Sequence, residues 1–269
     1  MSSSPRPITE PLHVLVTAGP TREKIDAVRD WGNIFTGQTG LDLALAFLEL
    51  GHVTLLTSNA AHARSYDGYS AGRGMMGTEV FRTHAELREL LAERLTGGDR
   101  VDVAAMTAAV ADYRPAGVYR VVSRTPAGAT HNAILHTPSR EAWVVERAGE
   151  AVGEGKVKSV FEEIAVVGER TEKLIDLFRR AWGFKGVLIK FKLEVGLSDA
   201  ELIQAAEASR TASGADLIVA NTLAMARPAE GGQGAAYLID DTGPALVTRQ
   251  DLAARVVAWV KGRPSGSGM

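Results

Sequence analysis

Two glycines, Gly37 and Gly40, lie between a long loop and an apolar helix that the sequence predicts over Gly40–Leu50. Glycine at such a corner lets the backbone approach phosphate oxygens and adopt a positive φ without steric cost. The first N–H groups of the helix then face the anion, which the helix dipole also favours. The pair therefore predicts a phosphate-binding corner near the N-terminus of the chain.

This corner differs from the two common phosphate-binding fingerprints. The spacing of Gly32, Gly37 and Gly40 is wrong for a dinucleotide loop, and the corner comes about twenty residues after the strand predicted over His13–Thr17. No Gly-Lys-Ser/Thr follows it, which excludes a Walker A loop. Gly19 lies in the turn directly after that strand. Because glycines also permit close packing of a helix on a strand, the pattern leaves phosphate binding and packing open.

The segment after the strand predicted over Val101–Met106 is a second candidate, because ligands bind at the carboxyl ends of parallel strands. Its small residues Ala108 and Ala109 would let a flat base or a phosphate lie against the backbone. Asp112 could bind a cation or a ligand hydroxyl group. The alternative is a tight turn in which Asp112 caps the backbone and pairs with Arg114.

Lys156 and Lys158 form a third candidate, since they flank one apolar residue and would point to the same side of a strand. A solvated edge strand with protective lysines is one interpretation. The other is a pair of ammonium groups that face a polyphosphate.

Phe191 closes another predicted strand, where it either stacks on a base or belongs to the core. Chemistry-bearing residues thus recur at several predicted strand ends.

Composition narrows the class of protein. The chain has 269 residues, 45% of them hydrophobic and 23% charged, with a formal net charge of −2 and no cysteine. Near neutrality gives no reason to expect a nucleic acid or an anionic membrane as partner. Without cysteine there is no thiolate nucleophile or cysteine-type zinc site. Residues 1–7 contain no apolar signal-like stretch, so we expect a soluble, cytoplasmic protein.

Strand-like and helix-like segments alternate along the chain, which favours a parallel sheet with crossover helices. The predicted strands are His13–Thr17, Val53–Thr57, Val101–Met106, Val187–Phe191 and Asp216–Ala220. The predicted helices are Gly40–Leu50, His84–Leu95, Thr171–Trp182, Asp199–Ser213 and Arg249–Lys261. The fold class is therefore α/β: a Rossmann-like parallel sheet with helices on both faces, a strand-bearing excursion and a C-terminal hairpin. We expect a single domain over residues 8–262, an inserted arm or lid over 116–155, and disordered tails over 1–7 and 263–269.

Taken in order, these segments resemble the phosphopantothenoylcysteine synthetase family. Residues 14–26 are similar to its opening strand and Gly-Gly-Thr-Arg-Glu-x-Ile-Asp loop, with proline at the second glycine. Val28-Arg29 followed by Asn33 resembles its Val-Arg…Asn. Residues 108–115 match its Ala-Ala-Val-Ala/Ser-Asp segment, and Lys156–Ser159 resembles its lysine stretch. The likeness spans roughly residues 12–260 and is interrupted by the 116–155 excursion, so it is far more specific than any single motif.

The resemblance implies a ligase that joins cysteine to 4′-phosphopantothenate through an acyl-nucleotidylate, with CTP or ATP as co-substrate and Mg²⁺ as cofactor. It assigns catalytic roles to Asn33, Lys156 and Lys158, and a tentative magnesium site to Asp112. It assigns nucleotide or phosphate binding to Gly19, Gly37, Gly40, Ala108, Ala109, Asp112 and Phe191. It also implies a homodimer, in which the 116–155 excursion is the natural arm to the partner.

The corner departs from the family pattern. Phe35 and Thr36 stand where the family has two serines, and Gln38 replaces its lysine or arginine. Fewer donors at the corner leave a non-catalytic or re-purposed nucleotide-binding paralogue as an alternative.

A Rossmann-like NAD(P)-dependent reductase is a second alternative; it requires an acidic residue about twenty residues past the glycine loop. Ser58 and Asn59, which follow the second predicted strand, supply none.

Overall fold

A computed structural model describes residues 10–126, 134–136, 141–148, 152–226 and 233–263 of the chain. The described residues divide into two compact units. The first comprises the ranges 1–20, 34–109 and 173–269, and the second comprises 21–33 and 110–172. The predicted disordered tails lie outside the described residues, apart from Arg263.

Fifteen strands and seven helices are assigned within the described ranges. The strands are β1 (Leu12–Ala18), β2 (Arg22–Lys24), β3 (Asp30–Gly32), β4 (Gly51–Thr57), β5 (Ser70–Ala71), β6 (Gly74–Val80), β7 (Val103–Met106), β8 (Tyr113–Pro126), β9 (Ile134–His136), β10 (Glu141–Arg147), β11 (Ile164–Arg170), β12 (Val187–Glu194), β13 (Leu217–Thr222), β14 (Ala235–Asp240) and β15 (Gly243–Thr248). The helices are α1 (Gln38–Phe47), α2 (Ala60–Tyr66), α3 (His84–Thr96), α4 (Leu174–Arg180), α5 (Asp199–Ser213), α6 (Leu223–Ala226) and α7 (Leu252–Lys261).

The first unit is built on a large, mostly parallel sheet. Within the described part of the chain its order is β15-β14-β13-β12-β7-β1-β4-β6-β5. Strands β6, β4, β1, β7, β12 and β13 are mutually parallel, and β14, β15 and β5 pair antiparallel at the two edges. The parallel strands have the doubly wound order of a Rossmann fold: β4 and β6 are added on one side of β1, and β7, β12 and β13 on the other, so the switch point lies between β1 and β7. Ligands bind at such a switch point, at the carboxyl ends of the strands.

Helices cover both faces of this sheet, as the sequence predicts. Neighbouring residues of β13 point to opposite faces, because side chains alternate along a strand. Leu217 and Val219 belong to a core that α1 and α7 complete, with Phe47 of α1 fully buried there. Ile218 and Ala220 belong to a separate core that α5 completes. The α/β fold class and the C-terminal hairpin, β14 and β15, are therefore confirmed.

Local capping sets the bounds of α5. The Ser198 side chain accepts the Glu201 N–H, while the Glu201 carboxylate accepts the Ser198 N–H at 2.9 Å, which is a capping box. Gly214, with φ +64°, ends the helix. Both ends agree with the predicted helix Asp199–Ser213. None of the helices in the described residues is long and apolar enough to cross a membrane.

The second unit contains the predicted strand-bearing excursion. Its antiparallel sheet has the order β11-β8-β10-β9 in the described residues, and β2 pairs with β3 in a separate hairpin. The alternation seen in the sequence around residues 118–122 and 142–146 corresponds to β8 and β10. The strand β11 had no counterpart in the prediction. Residues 127–133, 137–140 and 149–151 of the excursion lie outside the described residues.

Candidate functional site

A cavity of about 290 Å³ opens in the first unit at the switch point of the sheet, beside the ends of β1 and β7. It is bordered by the carboxyl ends of β1, β7, β12 and β13 and by the first turn of α1, and we call it the glycine cavity. The predicted binding residues that line it are Gly19, Gly37, Gly40, Ala108, Ala109 and Phe191. This part of the predicted site is thus brought together by the fold.

Hydrogen bonds join the ends of β1 and β7 at the base of this cavity. The Thr107 hydroxyl donates to the Thr17 carbonyl, and the Ala108 N–H donates to the Thr17 hydroxyl at 3.1 Å. The Ala109 N–H donates to the Gly19 carbonyl at 3.0 Å. These bonds fix the backbone of the small residues, so a ligand here meets a preformed surface of peptide groups.

Glycine is required at two places in the corner. Gly37 has φ +84°, and a Cβ added to it would lie 2.7 Å from the Gly19 nitrogen. A Cβ on Gly40 would meet the Thr107 hydroxyl and would lie 2.6 Å from the Ala18 Cβ. The first turn of α1 therefore packs directly on the ends of β1 and β7. The packing interpretation of the glycines is confirmed, and the same close packing brings the helix N-terminus to the cavity; phosphate binding there stays a prediction.

The N-terminus of α1 carries no side-chain cap. Gly37 is its N-cap residue and supplies no side chain, and the first turn contains no acidic residue. The Gln38 amide donates to the Asp42 carboxylate at 2.7 Å. The corner therefore offers backbone N–H groups and the positive end of the helix dipole to an anion, but no cationic side chain.

A second cavity of about 420 Å³, here called the helix cavity, lies in the same unit. Its lining residues are Thr39, Asp42, Leu43, Phe191, Gln233, Gly234, Arg249, Gln250, Leu252 and Ala253. Phe191, Thr39, Arg249 and Leu252 line the glycine cavity as well, so the two cavities share one wall. Phe191 is half-buried and packs against the sheet core, which leaves part of its ring available for stacking.

Arg249 was not recognised as a site residue in the sequence. It precedes α7 in a stretch that carries no motif, and only the pairing of β14 with β15 brings it to the cavities. Lys192 also lines the glycine cavity, but its ammonium group lies 2.5 Å from the Glu194 carboxylate. No pattern in the sequence distinguishes Arg249 from Lys192. The structure does, because Lys192 has a carboxylate partner and Arg249 has none among the described residues.

The remaining predicted residues, Asn33, Asp112, Lys156 and Lys158, belong to the second unit. The alternative interpretation of Asp112, in which its side chain caps a tight turn and pairs with Arg114, is wrong. Arg114 pairs with Glu169 at 2.5 Å, and the Asp112 carboxylate has no partner among the described residues. Its backbone carbonyl accepts the Thr171 N–H at 3.0 Å, so the exposed carboxylate projects from a fixed turn.

The two lysines do not lie on a strand, contrary to the edge-strand interpretation. Residues 156–158 are irregular, yet Val157 is buried and both lysines are exposed. The Val157 N–H donates to the Asp26 carboxylate at 3.1 Å, and its carbonyl accepts from Arg29 at 3.2 Å. Side chains thus replace the partners that a neighbouring strand would supply. Both lysines border a groove of about 260 Å³ in this unit.

Asp26 is the buried centre of that arrangement. Its carboxylate also accepts the N–H groups of Val28 and Arg29, each at 2.9 Å, and the Arg29 guanidinium lies 3.5 Å away. Burial by itself raises the pKa of the Asp26 carboxyl, but the N–H donors and Arg29 outweigh burial and hold that pKa below its ordinary value. We call Asp26, Arg29 and Val157 the Asp26 cluster. In the sequence Asp26 is the last residue of the family-like motif over 14–26, and its type and position predicted no role for it.

Comparison with known proteins supports the family resemblance. Residues 9–128 match the family model described as the DNA/pantothenate metabolism flavoprotein C-terminal domain. The coenzyme A biosynthesis bifunctional protein CoaBC of Thermococcus kodakarensis is 31% identical over 212 residues, which are 78% of this chain and 41% of that protein. CoaBC of Bacillus subtilis is 36% identical over 107 residues, 40% of this chain and 24% of its own length. The chain thus spans well under half of these relatives.

Solved structures share the fold. The DNA/pantothenate metabolism flavoprotein from Streptococcus pneumoniae has a TM-score of 0.69 at 22% identity, covering 93% of this chain and 98% of its own. A Cab2 mutant in complex with phosphopantothenate-cysteine has a TM-score of 0.59 at 15% identity, covering 93% of this chain and 86% of its own. At these identities the likeness concerns the fold.

Proposed function

Because this chain belongs to the phosphopantothenoylcysteine synthetase family, we propose that it is a ligase of coenzyme A biosynthesis that joins cysteine to 4′-phosphopantothenate. The observation that carries the proposal is the glycine cavity, where Gly37 and Gly40 expose an uncapped helix N-terminus. Such a corner suits the phosphates of the nucleotide that activates the acid.

The proposed reaction has two steps. A carboxylate oxygen of 4′-phosphopantothenate first bonds to the α-phosphorus of CTP or ATP, and the bond from that phosphorus to pyrophosphate breaks. The cysteine nitrogen then bonds to the acyl carbon of the acyl-nucleotidylate and gives up a proton. The bond from the acyl carbon to the phosphate oxygen breaks, and the nucleoside monophosphate leaves. The first step joins two anions, so the site must supply positive potential.

In the first unit we assign the nucleotide to the glycine cavity. The N–H groups at the start of α1 would hold its phosphates, since they are already oriented and no reorganisation is needed when charge develops. Ala108 and Ala109 would allow the base or ribose to approach the backbone closely. The part-exposed ring of Phe191 offers a stacking surface for the base. Stacking does not discriminate cytosine from adenine, so the proposal covers CTP and ATP.

In the second unit we assign charge neutralisation to Lys156 and Lys158, whose ammonium groups are exposed beside a fixed backbone. Asn33 would donate its amide to the oxyanion that forms on the acyl carbon. Asp112 would supply one carboxylate to Mg²⁺, which neutralises phosphate charge when bound. The described residues contain no cluster of three His, Cys, Asp or Glu. One carboxylate still fits a Mg²⁺ ion that takes its other ligands from phosphates and water.

We further propose a cytoplasmic homodimer, with the strands of the 116–155 excursion at the contact between protomers. The support is the family resemblance together with the exposed apolar side chain of Val122 on β8; Ile164 on β11, a strand that pairs with β8 but lies outside the excursion, is exposed as well. Light scattering coupled to size exclusion tests this arrangement: a mass of about 57 kDa, twice the chain mass of 28.6 kDa, is expected. A monomer mass across concentrations would contradict it.

A nucleotide-binding paralogue without ligase activity is the second candidate function. The observation in its favour is the side-chain chemistry of the corner, where Phe35 and Thr36 replace serines and Gln38 is bound to Asp42. Such a protein would bind a nucleotide at the glycine cavity but would not release pyrophosphate.

Pyrophosphate release separates the two functions. Purified protein is incubated with Mg²⁺, 4′-phosphopantothenate, and CTP or ATP, with and without cysteine. A ligase releases pyrophosphate only when the acid is present, and nucleoside monophosphate appears after cysteine is added. Nucleotide binding without pyrophosphate release from either nucleotide would favour the paralogue.

A lysine substitution tests the assignment in the second unit. Lys156→Ala should lower the rate of pyrophosphate release by about 100-fold or more, as for loss of one electrostatic stabiliser. Lys185→Ala is the matched control, since Lys185 is an exposed lysine of the first unit that lines neither cavity. Equal rates for the two variants would refute a catalytic role for Lys156.

A further inference from the structure

The charges on the walls of the two cavities in the first unit are unevenly compensated. Lys192 is paired with Glu194 at 2.5 Å, and Asp42 accepts the Gln38 amide at 2.7 Å. Arg249 lines both cavities, and among the described residues no carboxylate lies within ion-pair distance of it. Its guanidinium donates instead to the Ala226 carbonyl at 3.1 Å. The guanidinium charge therefore lies at the shared wall with no carboxylate partner in the part of the chain that the structure describes.

The backbone around Arg249 holds this side chain in position. The Arg249 N–H donates to the Gly234 carbonyl at 2.6 Å. A Cβ added to Gly234 would lie 3.2 Å from the Arg249 Cβ and 3.3 Å from its Cδ. The absence of a side chain at Gly234 is thus what lets the arginine stem pass close to the backbone. With the carbonyl of Ala226 at its tip, the side chain is oriented before any ligand binds.

We propose that Arg249 binds the phosphates beyond the α-phosphate of the nucleoside triphosphate and so supplies the cation that Gln38 no longer provides at the corner. The inference rests on the proposed function, which brings a triphosphate to the glycine cavity. A guanidinium suits this task because its planar fork can donate two parallel bonds to one phosphate group. The α-phosphorus stays open to attack by the carboxylate, while charge that builds on the departing pyrophosphate meets a fixed cation.

The test compares triphosphates with monophosphates. Isothermal titration measures the binding of CTP, ATP, CMP and AMP to wild type, Arg249→Gln and Arg249→Lys. Arg255→Gln serves as the matched control, because Arg255 is an exposed arginine of α7 that lines neither cavity. Arg249→Gln should weaken triphosphate binding by roughly 10- to 100-fold, the usual value of a hydrogen bond to a charged group. Monophosphate binding should change by less than about threefold, well under one such bond.

Arg249→Lys keeps the charge and should retain most of the triphosphate preference. Gly234→Ala keeps the arginine but displaces its stem, so it should lower triphosphate affinity while leaving monophosphate affinity unchanged. Thermal unfolding of each variant verifies that the substitution leaves the fold intact.

The outcomes separate this inference from the proposed function. Loss of triphosphate preference in Arg249→Gln but not in Arg255→Gln supports the inference. If wild type prefers triphosphates and Arg249→Gln keeps that preference, the role of Arg249 is overturned while the proposed function stands. If wild type binds neither CTP nor ATP, both are overturned.

Discussion

Replacing Asp26 with alanine removes the one carboxylate to which three backbone N–H groups, those of Val28, Arg29 and Val157, donate. Asp26 is only 1% exposed, so water cannot substitute at the Val157 side of the cluster. A buried donor without a partner costs about 1–3 kcal/mol. The Val28 and Arg29 donors lie in a partly exposed turn, where water recovers most of the loss. We therefore expect Asp26→Ala to destabilise the second unit by about 3 kcal/mol.

The conservative substitution separates hydrogen bonding from space filling. Asp26→Asn keeps an oxygen for Val28 and Arg29 but turns an amide donor toward the Val157 N–H. Its expected cost is about 1–2 kcal/mol, the value of one broken buried bond. Asp30→Ala is the control, because Asp30 lies in the same hairpin but is exposed, and its carboxylate has no hydrogen-bond or ion-pair partner within the described residues. The expected order of stability is wild type and Asp30→Ala, then Asp26→Asn, then Asp26→Ala.

Hydrogen exchange followed by mass spectrometry is the direct assay, because the chain has two units and global unfolding need not be two-state. Peptides that cover residues 25–29 and 153–158 should exchange faster in Asp26→Ala and Asp26→Asn than in Asp30→Ala. Turnover should fall in the same order, since Lys156 and Lys158 depend on the backbone that Asp26 fixes. Unchanged protection of the 153–158 segment in Asp26→Ala would refute this account of how the lysines are positioned.

Two further predictions concern the corner and the response to acid. Gly37→Ala should abolish most nucleotide binding, because it adds a Cβ 2.7 Å from the Gly19 nitrogen to the strain at φ +84°. Gly98→Ala, at φ +93° with open space around its Cβ, carries only strain of about 1–2 kcal/mol and should bind nucleotide normally in the same titration. Because the pKa of Asp26 is lowered on folding, its contribution to stability is complete above the unfolded pKa of about 3.9 and is lost as pH falls through the lower folded pKa. The stability difference between wild type and Asp26→Ala in urea unfolding should therefore be constant near neutral pH and shrink below about pH 4; a difference that shrank on going to alkaline pH instead would contradict this sign.

Local signals made part of the fold predictable from the sequence. The helix Asp199–Ser213 was predicted with its observed bounds because Ser198, Glu201 and Gly214 form its caps within a few residues. The glycine corner was predictable for the same reason, since positive φ and close approach leave little choice of residue. The C-terminal hairpin was equally local, with Gly243 at its turn.

Other features depended on partners distant in sequence. The Lys156–Lys158 segment has the alternation of a strand, but its backbone partners are side chains of Asp26 and Arg29, about 130 residues away, and no periodicity encodes them. The strand β6 contains two glycines and two methionines, a poor strand composition, and forms because β4 offers it a parallel edge. Arg249 reaches the cavities only through the pairing of β14 with β15.

The divergence of the corner changes its side chains and leaves its backbone intact. Phe35 removes a hydroxyl group and Gln38 removes a cationic group, while Thr36 keeps a hydroxyl; the close approach of Gly37 and Gly40 to the strand ends involves the backbone and none of these side chains. The capacity to bind an anion resides in N–H groups that the glycines expose, so the loss of side-chain donors lowers the available charge without closing the site. A cation supplied from another element can restore that charge, whereas no other element can restore a blocked backbone. Nucleotide affinity should therefore be far more sensitive to a methyl group at Gly37 than to any neutral side chain at position 38.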